Sequence, residues 1–292
     1  MTKPIEPQEL LSFLPKRYPS AHKGSFGRLM LLAGSPQMPG CLALSAKGAL
    51  CAGVGILECA AQPEALSVVK HACWESVYTA LPSPLTEFEA CLTTLRQRLN
   101  SATALAIGPG LAGGQPDSPL GQAVRDLILG VLQASQQPAV LDADGLTVFG
   151  AAPIFHYFPH RLVITPHPGE FSRLTGLPLP QVQANRQEIA LAFSRTQGCV
   201  TLLKGHQTVV AAPDGRYYVN QTGNPYMARG GSGDVLTGMI GALLAQGVPP
   251  FEAACLGAYL HGGAGDLAYA QLGLSMLPSD LPQYIGRFLF QA

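Results

Sequence analysis

Apolar positions along the chain fall into two rhythms: short unbroken runs, and longer stretches that repeat at helical spacing. Residues 28–34, RLMLLAG, form an apolar run closed by glycine, and residues 41–54 then carry small and apolar side chains in a helical pattern. That succession reads strand, turn, helix. Residues 55–60, 76–80 and 104–108 are further short apolar runs, with helical patterns at 63–71 and 86–99 between them. Strands alternating with helices in this way build a mainly parallel sheet.

The second half continues the pattern and changes it near the end. A helix is expected over 119–134, strands over 139–142 and 161–165, and one long helix over 181–196. The segment Thr165-Pro166-His167-Pro168-Gly169-Glu170 should open a helix, because proline and an acid fit a first turn. Residues 199–204 and 207–212 read as a strand pair around the turn Lys204-Gly205-His206, with 216–220 as a third strand. Helices at 250–270 and 278–290 close the chain, and a short amphipathic helix is expected within 9–14. Internal repeats, low-complexity tracts and long linkers are absent from the sequence, so residues 1–292 read as one domain. Glycine, proline and polar residues collect directly after the predicted strands, at AGS, GPGL, DADG, THPGE and KGHQT. Open parallel sheets place their ligand sites at that edge.

Composition narrows the partners. Lys plus Arg and Asp plus Glu both number 18, so the formal charge is zero and a polyanion such as nucleic acid is not the expected partner. Charged residues are 12% and hydrophobic ones 47%, a sparsely charged surface that favours a homo-oligomer. The 7 cysteines form no CxxC pair and read as small core residues of a reducing compartment. The first residues show no secretory pattern and no apolar stretch reaches membrane length, so the expected location is the cytoplasm.

The stretch over 220–241, NQTGNPYMARGGSGDVLTGMIG, concentrates the chemistry. Gly230, Gly231, Ser232 and Gly233 lead straight into a helical pattern, so the loop opens a helix whose first amides lack partners and attract an anion. Neither a GxGxxG after the first strand nor a Walker lysine is present. Asp234 would repel a bound phosphate. It has two readings: a helix cap, or a base that takes the proton of a hydroxyl attacking the phosphate. The helix dipole should hold it ionised and make it a weak base. Asp142 and Asp144 likewise have two readings, as groups near the phosphates or as residues that fix a turn.

Six motifs stand in one order: AGSPQMPG, AIGPGL, LDADGL, ITPHPGEFSRL, LLKGHQTVV and NQTGNPYMARGGSGDVLTGMIGALLAQG. Over residues 23–270 the chain thereby resembles the ADP- or ATP-dependent NAD(P)H-hydrate dehydratases of the ribokinase-like superfamily. The resemblance implies a three-layer α/β/α fold. It also implies dehydration of hydrated NADH and NADPH: the hydroxyl is phosphorylated, and phosphate leaves as the ring nitrogen's lone pair pushes. Asp234 is then the base and Gly231, Ser232 and Gly233 the anion hole. Lys204, Gly205, His206, Gln207, Thr208, Asn224 and Gly233 are implied to bind ADP or AMP, and Cys41, Gly110, His167 and Asp234 the hydrated dinucleotide. Mg²⁺ is implied as the nucleotide's companion, with no metal ligands identified among protein side chains, and the assembly as a tetramer.

Three positions depart from the family pattern: Cys41-Leu42, Tyr226 and Arg229. Arg229 is expected to bring positive charge toward the phosphates, and Tyr226 to add bulk. The chain is expected to act on one epimer, with no part left over for epimerisation. Two rival readings are a kinase of a small alcohol, such as a hydroxymethylpyrimidine or thiazole vitamin precursor, and a nucleotide-binding regulatory protein without turnover.

Overall fold

The computed structural model describes residues 7–112, 114–151 and 155–291. The chain opens with α1 (Pro7–Leu11), β1 (Arg28–Leu32), α2 (Pro39–Cys51), β2 (Ile56–Ala61) and α3 (Pro63–Ala72). It continues through β3 (Val77–Ala80), α4 (Phe88–Leu99), β4 (Ala104–Ile107), α5 (Pro119–Ala134), β5 (Ala139–Leu141) and α6 (Asp144–Thr147). Then come β6 (Leu162–Ile164), α7 (Pro168–Thr175), α8 (Leu179–Ala184), α9 (Arg186–Gln197) and β7 (Val200–Leu203). The hairpin strands β8 (Val209–Ala211) and β9 (Tyr217–Val219) precede α10 (Ser232–Ala245), α11 (Pro250–Leu272) and α12 (Leu281–Gln291).

All nine strands join one sheet in the order β3-β2-β1-β4-β5-β6-β7-β8-β9. Strands β1 to β7 run parallel, with Leu29 between Leu57 and Ala104, and β8 and β9 are added antiparallel. Both faces are covered, which is why these strands appear in the sequence as unbroken apolar runs. Leu29 and Leu31 pack on one side with α2, α10 and α11, whereas Met30 and Leu32 pack on the other with α4 and α5. A smaller apolar cluster links α7, α8 and α9 to β7 and β8. Among the described residues no helix is long and apolar enough to cross a membrane.

The element order follows the sequence closely, with three corrections. The helix expected over 181–196 is two helices. Asn185, at φ −130° and ψ 40°, ends α8 by donating to Gln181 O and starts α9 by accepting from the Ile189 amide. Asparagine is a weak helix former that competes for backbone partners. The break has a use: Arg186 at the head of α9 donates to the carbonyls of Leu203 and Lys204 and so pins the end of β7. Near the N-terminus the helix ends at Leu11, and residues 12–14 close into turns. Only five of the seven cysteines are buried, since Cys51 is exposed and Cys41 half-buried; all are free thiols.

Candidate active site

Helix α10 owes its place to glycine. Gly238 lies against the carbonyl of Ser45 and Gly48 against that of Val235, so a Cβ at either would overlap backbone and push α2 and α10 apart. This close crossing brings the start of α10 and the start of α2 to the same edge of the sheet. Gly231 caps α10 in the left-handed region, at φ 99°, without a side-chain cap. The first-turn amides of Gly233 and Asp234 therefore have no partner within the helix. The Ser232 amide differs, because it donates to Arg229 O at 3.2 Å. The anion hole expected at 231–233 is thus narrowed to amides on either side of Ser232. Behind it, Ser232 Oγ lies 3.4 Å from His261 Nε2 on α11, and burial pushes that imidazole down to about 4, so it is neutral at pH 7.

Opposite the loop stands the end of β5. Ala143 takes φ 51° and ψ −120°, a strained backbone for an alanine, costing on the order of 1–3 kcal/mol. Gly108 lies flush against the Asp142 carbonyl, where no side chain fits. The turn sends the two carboxylates different ways. Asp144 Oδ2 accepts from the Ala112 amide at 2.8 Å and so fixes the loop after β4. Asp142, buried, accepts from Lys204 Nζ at 2.7 Å and from Thr237 Oγ1 at 2.6 Å. Burial alone would lower the Lys204 ammonium, but Asp142 and then Glu170 outweigh it and hold it above its ordinary range.

Asp234 meets this group from α10. Burial, then the charge of Asp142, push its carboxyl up to about 6, against the opposing pull of Cys41 and Lys204. The helix dipole was expected to make it a weak base; burial raises the carboxyl above its ordinary value instead. The group stays largely ionised at pH 7 yet sits close to the value that suits proton abstraction. Cys41, at the start of α2, faces Asp234, and burial with that neighbour drives its thiol up to about 12, so it is a neutral S–H. Gly110 comes within contact of Cys41: a Cβ there would lie 2.8 Å from the Cys41 Cβ. Cys41, Gly110 and Asp234 are thus one surface.

His167 caps α7. Its Nδ1 accepts from the amides of Gly169 and Glu170, at 3.0 and 3.3 Å, while Glu170 Oε2 accepts from the His167 amide. Burial and then Lys204 lower its pKa. With Nδ1 used as an acceptor, the proton sits on Nε2, which lies 3.6 Å from Glu170 Oε1. Residues 204–208 form the tight turn after β7, with Gly205 at φ 140°, Gln207 at φ 53°, and Thr208 Oγ1 donating to Gly205 O. His206 and Gln207 are exposed there.

The loop before α10 is tied to α11. Asn224 Nδ2 and the Gly223 amide both donate to Asp266, at 2.9 Å each, and Asn224 Oδ1 caps the short turn that follows. Two departures from the family pattern resolve on this loop. Arg229 Nη2 donates to Leu274 O at 2.7 Å, so the guanidinium is tied to the turn after α11. Tyr226 stacks on Tyr269 with centroids 4.1 Å apart. Its bulk is taken up by that ring.

Thr237, His261 and Asp266 lie within stretches that resemble the family but were given no role from sequence, and Arg186 lies outside them. Thr237 carried one signal, its place one turn after Asp234 on the same helix. A cavity of about 650 Å³ lined by Lys47, Cys51, Glu75 and Gln283 lies at the far end of α2 and touches none of the strand-end residues. Among the described residues no three His, Cys, Asp or Glu side chains gather as a metal cage.

Comparison with known proteins follows the same lines. The sequence model of the family described as NAD(P)H-hydrate dehydratase matches residues 29–287. A bifunctional NAD(P)H-hydrate repair enzyme of Moorella thermoacetica is 42% identical over 94% of this chain and 51% of its own length. The chain thus spans about half of that relative. An ADP-dependent (S)-NAD(P)H-hydrate dehydratase of Neisseria meningitidis is 37% identical over 89% of this chain and 83% of its own. Among solved structures, the ADP/ATP-dependent NAD(P)H-hydrate dehydratase of Bacillus subtilis, co-crystallised with ATP/Mg²⁺, superposes with a TM-score of 0.82 at 30% identity. It covers 97% of this chain and 96% of that one. The three-layer fold is the ribokinase-like one seen in these neighbours.

Proposed function

Since the chain belongs to the NAD(P)H-hydrate dehydratase family, we propose that it repairs hydrated NADH and NADPH of the S configuration with ADP as co-substrate. The observation that carries the reading is Asp234: a carboxylate raised to about 6 beside unpartnered first-turn amides, with Lys204 on one side and the Cys41–Gly110 surface on the other. Asp234 takes the proton of the hydrate's hydroxyl as that oxygen attacks the terminal phosphorus of ADP, and AMP leaves. The amides of Gly231, Gly233 and Asp234 face the charge that builds on the transferred phosphoryl group; each well-aimed donor is worth about 3 kcal/mol. The ring nitrogen's lone pair then expels phosphate, and loss of a proton from the neighbouring carbon restores the double bond. NAD(P)H, AMP and phosphate are the products.

Residues 204–208 and Asn224 form the nucleotide side, and Cys41, Gly110 and His167 the dinucleotide side. Mg²⁺ would bind at the nucleotide's phosphates and offset their charge. We read the described residues as one domain in a homo-oligomer of the cytoplasm, acting on one epimer. Hydrated NADH incubated with the protein and ADP should regain absorbance at the reduced-nicotinamide band while releasing AMP and phosphate in equal amounts, and ATP in place of ADP measures the nucleotide preference. Phosphate transfer to hydroxymethylpyrimidine or a thiazole alcohol, with no regain of absorbance, would overturn the reading in favour of a small-alcohol kinase.

A further inference from the structure

Asp142 lies outside the residues assigned to either ligand, and both its oxygens are taken. Oδ1 receives the Lys204 ammonium at 2.7 Å and Oδ2 the Thr237 hydroxyl at 2.6 Å, and only 1% of the residue is exposed. Three elements meet on this one carboxylate: the end of β5, the end of β7, and α10 one turn beyond Asp234. The junction stands over the anion loop. A Cβ placed on Gly233 would come within 3.2 Å of Lys204 Nζ and 3.7 Å of Asp142 Oδ2. We propose that Asp142 is a positioning residue, which with Thr237 fixes the Lys204 ammonium over Gly233 and sets the charge that Asp234 experiences.

The inference rests on the dehydratase reading. A lysine ammonium ends a flexible four-carbon stem. Tethered by Asp142, it is already aimed at the phosphoryl site before the nucleotide arrives, which is preorganisation rather than added attraction. The same pair sets two opposed charges beside Asp234. The titratable groups that face Asp234 are Asp142 after β5, Lys204 after β7, Asp144 on α6 and Cys41 on α2, and Lys204 in turn faces Glu170 on α7. Asp142 makes Asp234 more basic and Lys204 makes it less so.

The proposal therefore predicts shifts of opposite sign. In Asp142→Asn the anion is gone and Lys204 is uncompensated, so Asp234 titrates lower. In Lys204→Met the cation is gone and Asp142 is uncompensated, so Asp234 titrates higher.

Carboxylate-carbon NMR titration of Asp234 in the full chain reads this without turnover, and kcat against pH with hydrated NADH and ADP reads its consequence. Asp142→Asn should move the Asp234 midpoint and the acid limb of kcat down by about one pH unit or more, and lower kcat about tenfold or more through the untethered lysine. Thr237→Val keeps the Asp142 anion but frees its aim, so it should reproduce part of the loss in kcat, and Thr237→Ser should restore it. An Asp142→Asn protein that melts lower while the Asp234 midpoint stays in place would reduce Asp142 to a structural brace and overturn the proposal. Should Asp142→Asn fail to fold, equal kcat in Thr237→Val and Thr237→Ser overturns it instead. A wild-type protein without dehydration removes the dehydratase reading, and the titration still decides whether Asp142 governs Asp234.

Discussion

Two buried carboxylates in this molecule are built alike and placed differently. Glu58, within β2, accepts from Arg98 Nε at 2.6 Å and from Thr79 Oγ1 at 2.7 Å, with Arg28 Nε at 3.9 Å. Asp142, just past β5, accepts from Lys204 at 2.7 Å and Thr237 at 2.6 Å. Each accepts hydrogen bonds from one base and one threonine hydroxyl, Glu58 at Oε1 alone and Asp142 at both of its oxygens. Glu58 is flanked by β1 and β3. Its charge is matched and no second carboxylate stands beside it among its bonded partners. Asp142 lies at the strand ends, beside Asp234 and above the amides of α10. Burial of an ion pair is thus no sign of function by itself; the second, raised carboxylate and the open helix terminus make the difference.

The sharpest test removes the group that distinguishes the two places. Asp234→Asn should lower kcat by about 10²–10⁴-fold with ADP binding retained, read by single-turnover kinetics and calorimetry. The same variant should be more stable than wild type at neutral pH. The folded pKa of Asp234 lies above its unfolded value, so the wild-type fold is penalised while the group is ionised, and the penalty vanishes as pH falls through about 6 toward the ordinary carboxylate range. Its removal is worth roughly 1–3 kcal/mol at pH 7, visible as a higher Tm that converges with wild type in acid.

Glu58→Gln provides the contrast. Only the carboxylate of that pair is buried, so the change should cost about 1–3 kcal/mol of stability while the pH profile of turnover stays in place; a shifted profile would end the distinction between the two pairs. Asp266→Ala releases Asn224 and the Gly223 amide at the rim, so KM for ADP should rise about tenfold, as expected for hydrogen bonds to a charged group, with kcat little changed. Tyr226→Gly should have the smallest effect. Losing its stack on Tyr269 costs about 0.5–1.5 kcal/mol in Tm terms, and turnover should stay within about twofold of wild type.

Much of the architecture was legible because both faces of the sheet are covered. Covered strands must be apolar throughout, so Leu29 to Leu32 or Ala104 to Ile107 stand out as runs, and the glycines that follow them mark the functional edge. The GGSGD stretch was legible for a similar local reason, since glycines before a helical pattern leave amides free. The break at Asn185 was not, because one weak helix former among good ones is decided by what the helix packs on. His167 was expected at the site from its place after β6, but its role as the cap of α7, with Nδ1 accepting from two amides, needed the coordinates. The partner of Arg229 could not be read from its neighbours in sequence, since it is the carbonyl of Leu274, 45 residues on.

The sequence by itself determined the order of strands and helices along the chain and the glycine-rich turns that follow the strands, and it singled out Asp234 with its loop as the candidate chemistry, all of them features written in local periodicity and turn chemistry. The tertiary structure alone decided the protonation and aim of those groups. Asp142 is 62 residues from Lys204 and 95 from Thr237, and it meets both only because β5, β7 and α10 converge. Asp234 rises to about 6 for the same reason. Backbone preference is set by neighbours along the chain, whereas desolvation and charge are set by whatever the fold brings within a few ångströms.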